Sequence, residues 1–186
     1  MKALDFVKKH GVTLKEEHSD WLTALKEETM ADVWDNTNDP MFLIEILRCL
    51  LNPNYDTAIQ EYLRDAIQHF SHYCISPNGS VLTEAAIFTL QSVIDGRMSN
   101  KEIAYSCMNL HKEISFEMAN ESLDKQEGAV IYATAFSVNW LMQLDKNELA
   151  SISAAYHFTE HMIRGFDEGK QELSDKLRGY VGNPFT

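Results

Sequence analysis

Basic residues, strand-like alternation and catalytic signatures are all scarce in this 186-residue chain, and each scarcity excludes a class of protein. Only 16 Lys and Arg stand against 28 Asp and Glu, a formal net charge of -12. Direct nucleic-acid binding needs a basic face to displace counterions from phosphates, and an anionic membrane surface needs juxtaposed Lys or Arg. Neither partner is expected. Glycine and proline, 8 and 4 residues, are too few for collagen-like or Pro-rich classes. No G-x-S-x-G elbow, P-loop or dinucleotide fingerprint occurs, because the glycines stand singly at loop ends. Cys49, Cys74 and Cys107 are odd in number and widely spaced. They form no CxxC or zinc-ribbon pattern, so they are expected as buried, reduced thiols of a cytoplasmic protein. Asp5, Lys8 and Lys9 interrupt any signal-peptide core at the amino end. The longest apolar stretch, Met41 to Leu51, is broken by Glu45 and Arg48 and is too short to cross a bilayer.

What is present is an ordinary globular balance, 45% apolar and 24% charged residues, patterned almost throughout at helical spacing. A first helix over about residues 2–9 stops at Gly11. Thr13-Leu-Lys-Glu16 is a capping box opening a helix with Trp21, Leu22 and Leu25. Thr29-Met-Ala-Asp32 starts a short turn holding Val33 and Trp34. Asp39-Pro40 opens a helix with Phe42, Leu43, Ile46, Leu47 and Leu50 on one side, proline taking its favoured first position. After the break at Asn52-Pro53-Asn54, Asp56 is expected to cap a helix from Thr57 to about Cys74. Pro77-Asn78-Gly79 is expected as a turn, with a layer boundary near 76–80.

A helix from about Val81 to Ile94 ends at Gly96. Ser99-Asn-Lys-Glu102 is the clearest capping box and opens a long helix with Ile103, Cys107, Leu110, Ile114 and Met118 on one face. Glu127 to Leu144 is apolar nearly all round and is expected as the central buried helix, with Trp140 in the core. Asn147 to about Phe166 and a short last segment near Glu172–Tyr180 complete the list. The expected architecture is all-α: a compact bundle of seven to nine helices in a single domain spanning 1–186.

Two places carry candidate chemistry. His157-Phe-Thr-Glu160-His161 has the H-x-x-E-H form of inverted zinc peptidases, which puts both imidazoles on one helix face beside a carboxylate. A third ligand would have to be Glu168 or Glu172. With seven histidines in the chain, an i,i+4 pair also arises readily by chance, so no metal and no cofactor are assigned. His69 and His72 lack the Glu-x-x-His context of a di-iron bundle.

The second place is acidic. Residues 16–39 hold eight acids against Lys26 alone, a local charge of -7. Some of these acids suit helix starts. Glu27, Glu28, Asp32, Asp35 and Asp39 are the candidate contacts for a basic protein partner. Trp34 is the candidate aromatic anchor among them. The alternative for both Trp21 and Trp34 is closure of a small N-terminal layer.

Several segments together carry a family resemblance: Phe6-Val-Lys-Lys-His-Gly-Val-Thr13, Trp21, Met30-Ala-Asp-Val-Trp34, Asp39-Pro40, Leu43-Ile-Glu-Ile-Leu47, Ala85–Leu90, Gly96-Arg-Met-Ser99 and Glu102. Over these the chain resembles an immunity protein family of bacterial polymorphic-toxin loci. The resemblance weakens toward the C-terminus, where only 129–135 and 150–155 keep the family's Ala-rich flavour. It implies an intracellular, non-enzymatic helical protein that neutralises a toxin by binding it. The acidic excess agrees, since a basic toxin domain would associate quickly with such a face. The competing expectation is a structural or regulatory helical interaction module, homo-oligomeric or with an unknown partner.

Overall fold

The structure, a computed structural model, describes residues 1–12, 28–50, 52–119, 123–143, 149–166 and 169–186. Among these residues the chain forms nine α-helices and no strand. They are α1 (Ala3–His10), α2 (Met30–Asn36), α3 (Pro40–Leu50), α4 (Asp56–Phe70), α5 (Pro77–Ile94), α6 (Asn100–Met118), α7 (Lys125–Leu141), α8 (Ala150–Gly165) and α9 (Gly169–Val181). Short 3-10 turns at Pro53–Tyr55 and Ser71–Tyr73 flank α4. No helix among the described residues is long and apolar enough to cross a membrane. The Thr13–Glu16 box and the segment of Trp21, Leu22 and Leu25 lie outside the described residues.

Most helix starts follow from local chemistry. Gly11 takes φ 60° and ends α1 as expected. Thr29 and Asp32 form a reciprocal capping box at α2. Asp39 Oδ1 accepts from the Met41 and Phe42 N–H groups at 3.0 and 3.3 Å, which holds α3 at its Pro40 start. At α6 the Ser99 N–H donates to Glu102 Oε2 at 2.9 Å while the Glu102 N–H donates to Ser99 Oγ at 3.4 Å.

Several boundaries differ from expectation. Asp56 is the first residue of α4 rather than its cap, and α4 stops at Phe70 instead of running to Cys74. Pro77-Asn78-Gly79 is no free turn: Ser76 Oγ accepts from the Gly79 N–H at 3.1 Å, and α5 begins four residues earlier than its apolar stripe suggested. Buried Glu127 of α7 accepts the Ser76 N–H at 2.9 Å, so segment 76–80 is bound to the middle of the bundle. The last helix also starts three residues earlier than expected, at Gly169, whose N–H donates to the Phe166 carbonyl at 3.1 Å.

One apolar cluster runs through the molecule. α7 and α8 form its tightest pair; α4 packs on α5, α8 and α9, α6 packs on α5 and α7, and α3 lies across α8 and α9. Phe42, Tyr62 and Phe158 are fully buried, each stabilising the fold by about 1.5–3 kcal/mol relative to exposure. Two polar pairs cross this core between helices: Tyr62 Oη with Thr159 Oγ1 at 2.8 Å, and Gln60 Nε2 to Ser151 Oγ at 3.3 Å. Burial keeps Tyr62 protonated at any physiological pH by raising its pKa. α1 and α2 form the N-terminal layer, joined by the Lys2–Thr29 bridge and the Met30 N–H to Met1 carbonyl bond at 2.9 Å.

Candidate functional site

The acidic segment is put to work locally. Glu27 lies outside the described residues. Glu28 is half-buried, and its carbonyl accepts the Ala3 N–H at 3.2 Å. Asp32 Oδ2 accepts from the Thr29 N–H and hydroxyl at 3.0 and 2.7 Å, and these bonds lower its pKa. Asp35 Oδ1 accepts from Asn183 Nδ2 at 2.9 Å. Asp39 caps α3. Asp32 and Asp35 remain solvent-exposed, so the local negative field persists at two of these positions. Trp34 contradicts its assignment as an anchor. It is 0% exposed, and a ring with no accessible surface has nothing to present to a partner. It closes the N-terminal layer instead.

The histidine pair is drawn into packing. His157 and His161 share one face of α8, as their spacing requires, but that face meets Tyr132, Phe136 and Trp140 of α7. The rings interleave in the order Trp140, His157, Phe136, His161, Tyr132. Successive centroids are 5.8, 5.5, 4.6 and 5.8 Å apart, and interplanar angles are 27° or less. These are offset stacks. Trp140 is therefore half-buried in this column and not a core residue, and Tyr132 is exposed at its end. The central helix is open along this edge.

Glu160 turns to Arg164 at 2.7 Å and stands 3.6 Å from His157 Nδ1. Burial, then the Arg164 charge, lowers the His161 pKa. Of the conceivable third ligands, Glu168 lies outside the described residues. Glu172 pairs with His69 Nε2 at 2.7 Å. No group of three or more His, Cys, Asp or Glu that could hold a metal occurs among the described residues. The aromatic spacing 132, 136, 140 was the available signal for the column, and it was masked by the general apolarity of α7.

The thiols are poor nucleophiles. Burial, with Glu127 and Asp124 nearby, pushes Cys74 up to about 12, and burial pushes Cys107 up to about 11. Neither is a thiolate at neutral pH, which reactivity requires.

The surface feature that sequence reasoning missed lies on the α5–α6 hairpin. Val81 and Phe88 of α5 and Tyr105, Met108 and Phe116 of α6 are between 42% and 75% exposed. Beside them a groove of about 740 Å³ runs between the two helices, floored by Leu82, Ala85 and Leu110 and walled by Val81, Tyr105 and Glu113. Scattered exposed apolar residues are normal, but two of these, Val81 and Tyr105, line the groove itself, and exposed apolar side chains at a groove mark an interaction site. α6 carries two apolar stripes, and the buried one alone was singled out from its periodicity.

Compared with known proteins, the chain matches no family model, no curated protein and no solved structure.

Proposed function

We propose that the chain acts by binding another protein rather than by catalysis, as an immunity-type inhibitor that neutralises a cognate toxin domain. The observation that carries protein binding is the α5–α6 face, where Val81 and Tyr105 line a groove and Phe88, Met108 and Phe116 stand in solvent on the same two helices. A groove of this form takes a partner's amphipathic helix or apolar ridge. The net charge of -12 favours encounter with a basic domain, steering it over distance while the apolar face supplies the lasting contact. The toxin-neutralising role rests on the family resemblance of the N-terminal and middle segments. The acidic residues of α2 and the α3 cap contribute field and not the central contact, since Asp32, Asp35 and Asp39 already accept hydrogen bonds within the chain.

The test is growth rescue. The C-terminal domain encoded immediately upstream of this gene is expressed alone and together with this chain. Toxicity alone and survival together are expected. Val81→Glu with Phe88→Glu should abolish protection while leaving the far-UV spectrum unchanged. Equal killing with and without the chain removes the toxin assignment. Rescue that survives the α5 variant moves the contact to another face.

A further inference from the structure

The outer stripe of α6 has a symmetry of its own. Lys101, Tyr105, Met108, Lys112 and Phe116 recur at spacings of four, three, four and four, so they share one helix face. All five are exposed. Neither lysine has a hydrogen-bond or ion-pair partner among the described residues. The two bases sit on an apolar strip of a protein that is otherwise strongly acidic.

Read from either end, the strip alternates base and ring about a midpoint between Met108 and Asn109. An antiparallel copy of α6 laid on it about a two-fold axis at that midpoint sets a base opposite a ring at both outer pairs. Lys101 lies opposite Phe116 of the second copy and Tyr105 opposite Lys112, while the two copies of Met108 flank the axis, offset by one residue. The same register brings Lys101 within one turn of Glu113 of the second copy, and Lys112 within one turn of Glu102. Lys101 therefore gains a ring face and the Glu113 carboxylate at once, and Lys112 gains a ring face with the capping carboxylate Glu102 nearby. Two-fold pairing requires this reciprocity, in which residue i meets j and j meets i. A chance apolar strip with two unpaired lysines has no reason to supply it.

We propose that the occupant of this strip is a second copy of the chain, giving a dimer through an antiparallel α6–α6 contact. The pairing takes the Tyr105 and Glu113 wall of the α5–α6 groove and leaves Val81 and Phe88 of α5 to the partner discussed above, whose identity it does not depend on.

Sedimentation equilibrium of the purified full chain, from sub-micromolar to several hundred micromolar concentration, reads the outcome without any toxin. A species of twice the 21.3 kDa chain mass is expected. Met108→Glu sets two carboxylates against each other across the axis, and Phe116→Lys sets two ammonium groups against each other. Each should weaken the dimer by roughly tenfold or more, since like charges in contact cost over a kcal/mol. Adding Lys101→Phe to Phe116→Lys exchanges base and ring within one chain and should restore dimerisation. All three positions are exposed, and unchanged far-UV spectra will show that the variants fold. A chain that stays monomeric at the highest concentration overturns the proposal. So does a dimer indifferent to Met108→Glu and Phe116→Lys, and a failure of the exchanged pair to restore dimerisation overturns the antiparallel register.

Discussion

At the scale of single residues, His161 links the aromatic column to pH. Its folded pKa lies below its ordinary value of 6.5, first because it is partly buried and second because Arg164 is close; Glu160 opposes the shift and His157 adds to it. From α7 it is faced by the rings of Tyr132 and Phe136. Above pH 6.5 the imidazole is neutral both folded and unfolded and contributes no pH dependence. Below it the unfolded chain takes a proton that the folded chain resists, so stability falls with pH until the folded group also titrates. His161→Gln should therefore flatten the loss of denaturation midpoint as pH is lowered from neutrality through 6.5. An unchanged slope would place the acid sensitivity elsewhere. The carboxylates of Asp32 and Asp175, whose folded pKa values are lowered, lose their contribution only in the more acidic range below 3.8. The residue types at 157 and 161 were visible in the sequence together with their shared face. What that face touches was not, because the partners lie on another helix and sequence spacing carries no information about which helices meet.

At the scale of elements, starts marked by short-range chemistry were legible, whereas starts fixed by tertiary contacts were not. Thr29 with Asp32, Asp39 with Pro40, Ser99 with Glu102 and Gly11 all act within four residues, so spacing alone finds them. α5 begins at Pro77 because Ser76 caps it and Glu127, 51 residues away, holds the Ser76 N–H. A Pro-Asn-Gly triplet seen without Glu127 is a turn signal. The tightest pair, α7 and α8, shows the same dependence on distant neighbours. A Cβ on Gly165 would fall on the Ala129 methyl, so Gly165→Ala forces the two helices apart, and overpacking of this kind costs about 1–3 kcal/mol. Gly179 in α9 is exposed and meets nothing within 4 Å. Gly179→Ala should therefore stabilise the protein by about 0.5–1 kcal/mol through helix propensity. One substitution with opposite signs at two helical glycines separates packing from propensity, and thermal denaturation of both variants checks it. A loss at both positions would mean that α9 has neighbours beyond those described.

At the scale of the whole molecule, the C-terminal helix fastens the N-terminal layer to the bundle. Arg178 Nη1 donates to the Trp34 and Thr37 carbonyls at 3.2 and 2.6 Å, which are orphan acceptors at the end of α2. Asn183 Nδ2 reaches the Ala31 carbonyl at 3.2 Å and Asp35 at 2.9 Å, and Phe185 meets Phe6 edge-on with centroids 5.5 Å apart. Lys176 ties α9 to Asp65 of α4 at 2.6 Å. Residues at the two ends of the chain thus share one set of bonds, while the α5–α6 face lies on helices that take no part in it. If those bonds fasten the layer, Arg178→Ala with Asn183→Ala should raise amide exchange across α1 and α2 while α7 and α8 stay protected. Hydrogen bonds from a charged donor contribute about 1.5–3 kcal/mol, so exchange in the layer should speed by roughly tenfold or more. The same variant should leave α6-mediated association unchanged, because no α6 side chain takes part in the fastening bonds. Uniform acceleration through α7 and α8 would instead make the N-terminal layer part of a single cooperative unit. In that case the acidic α2 surface could not move independently of the apolar face.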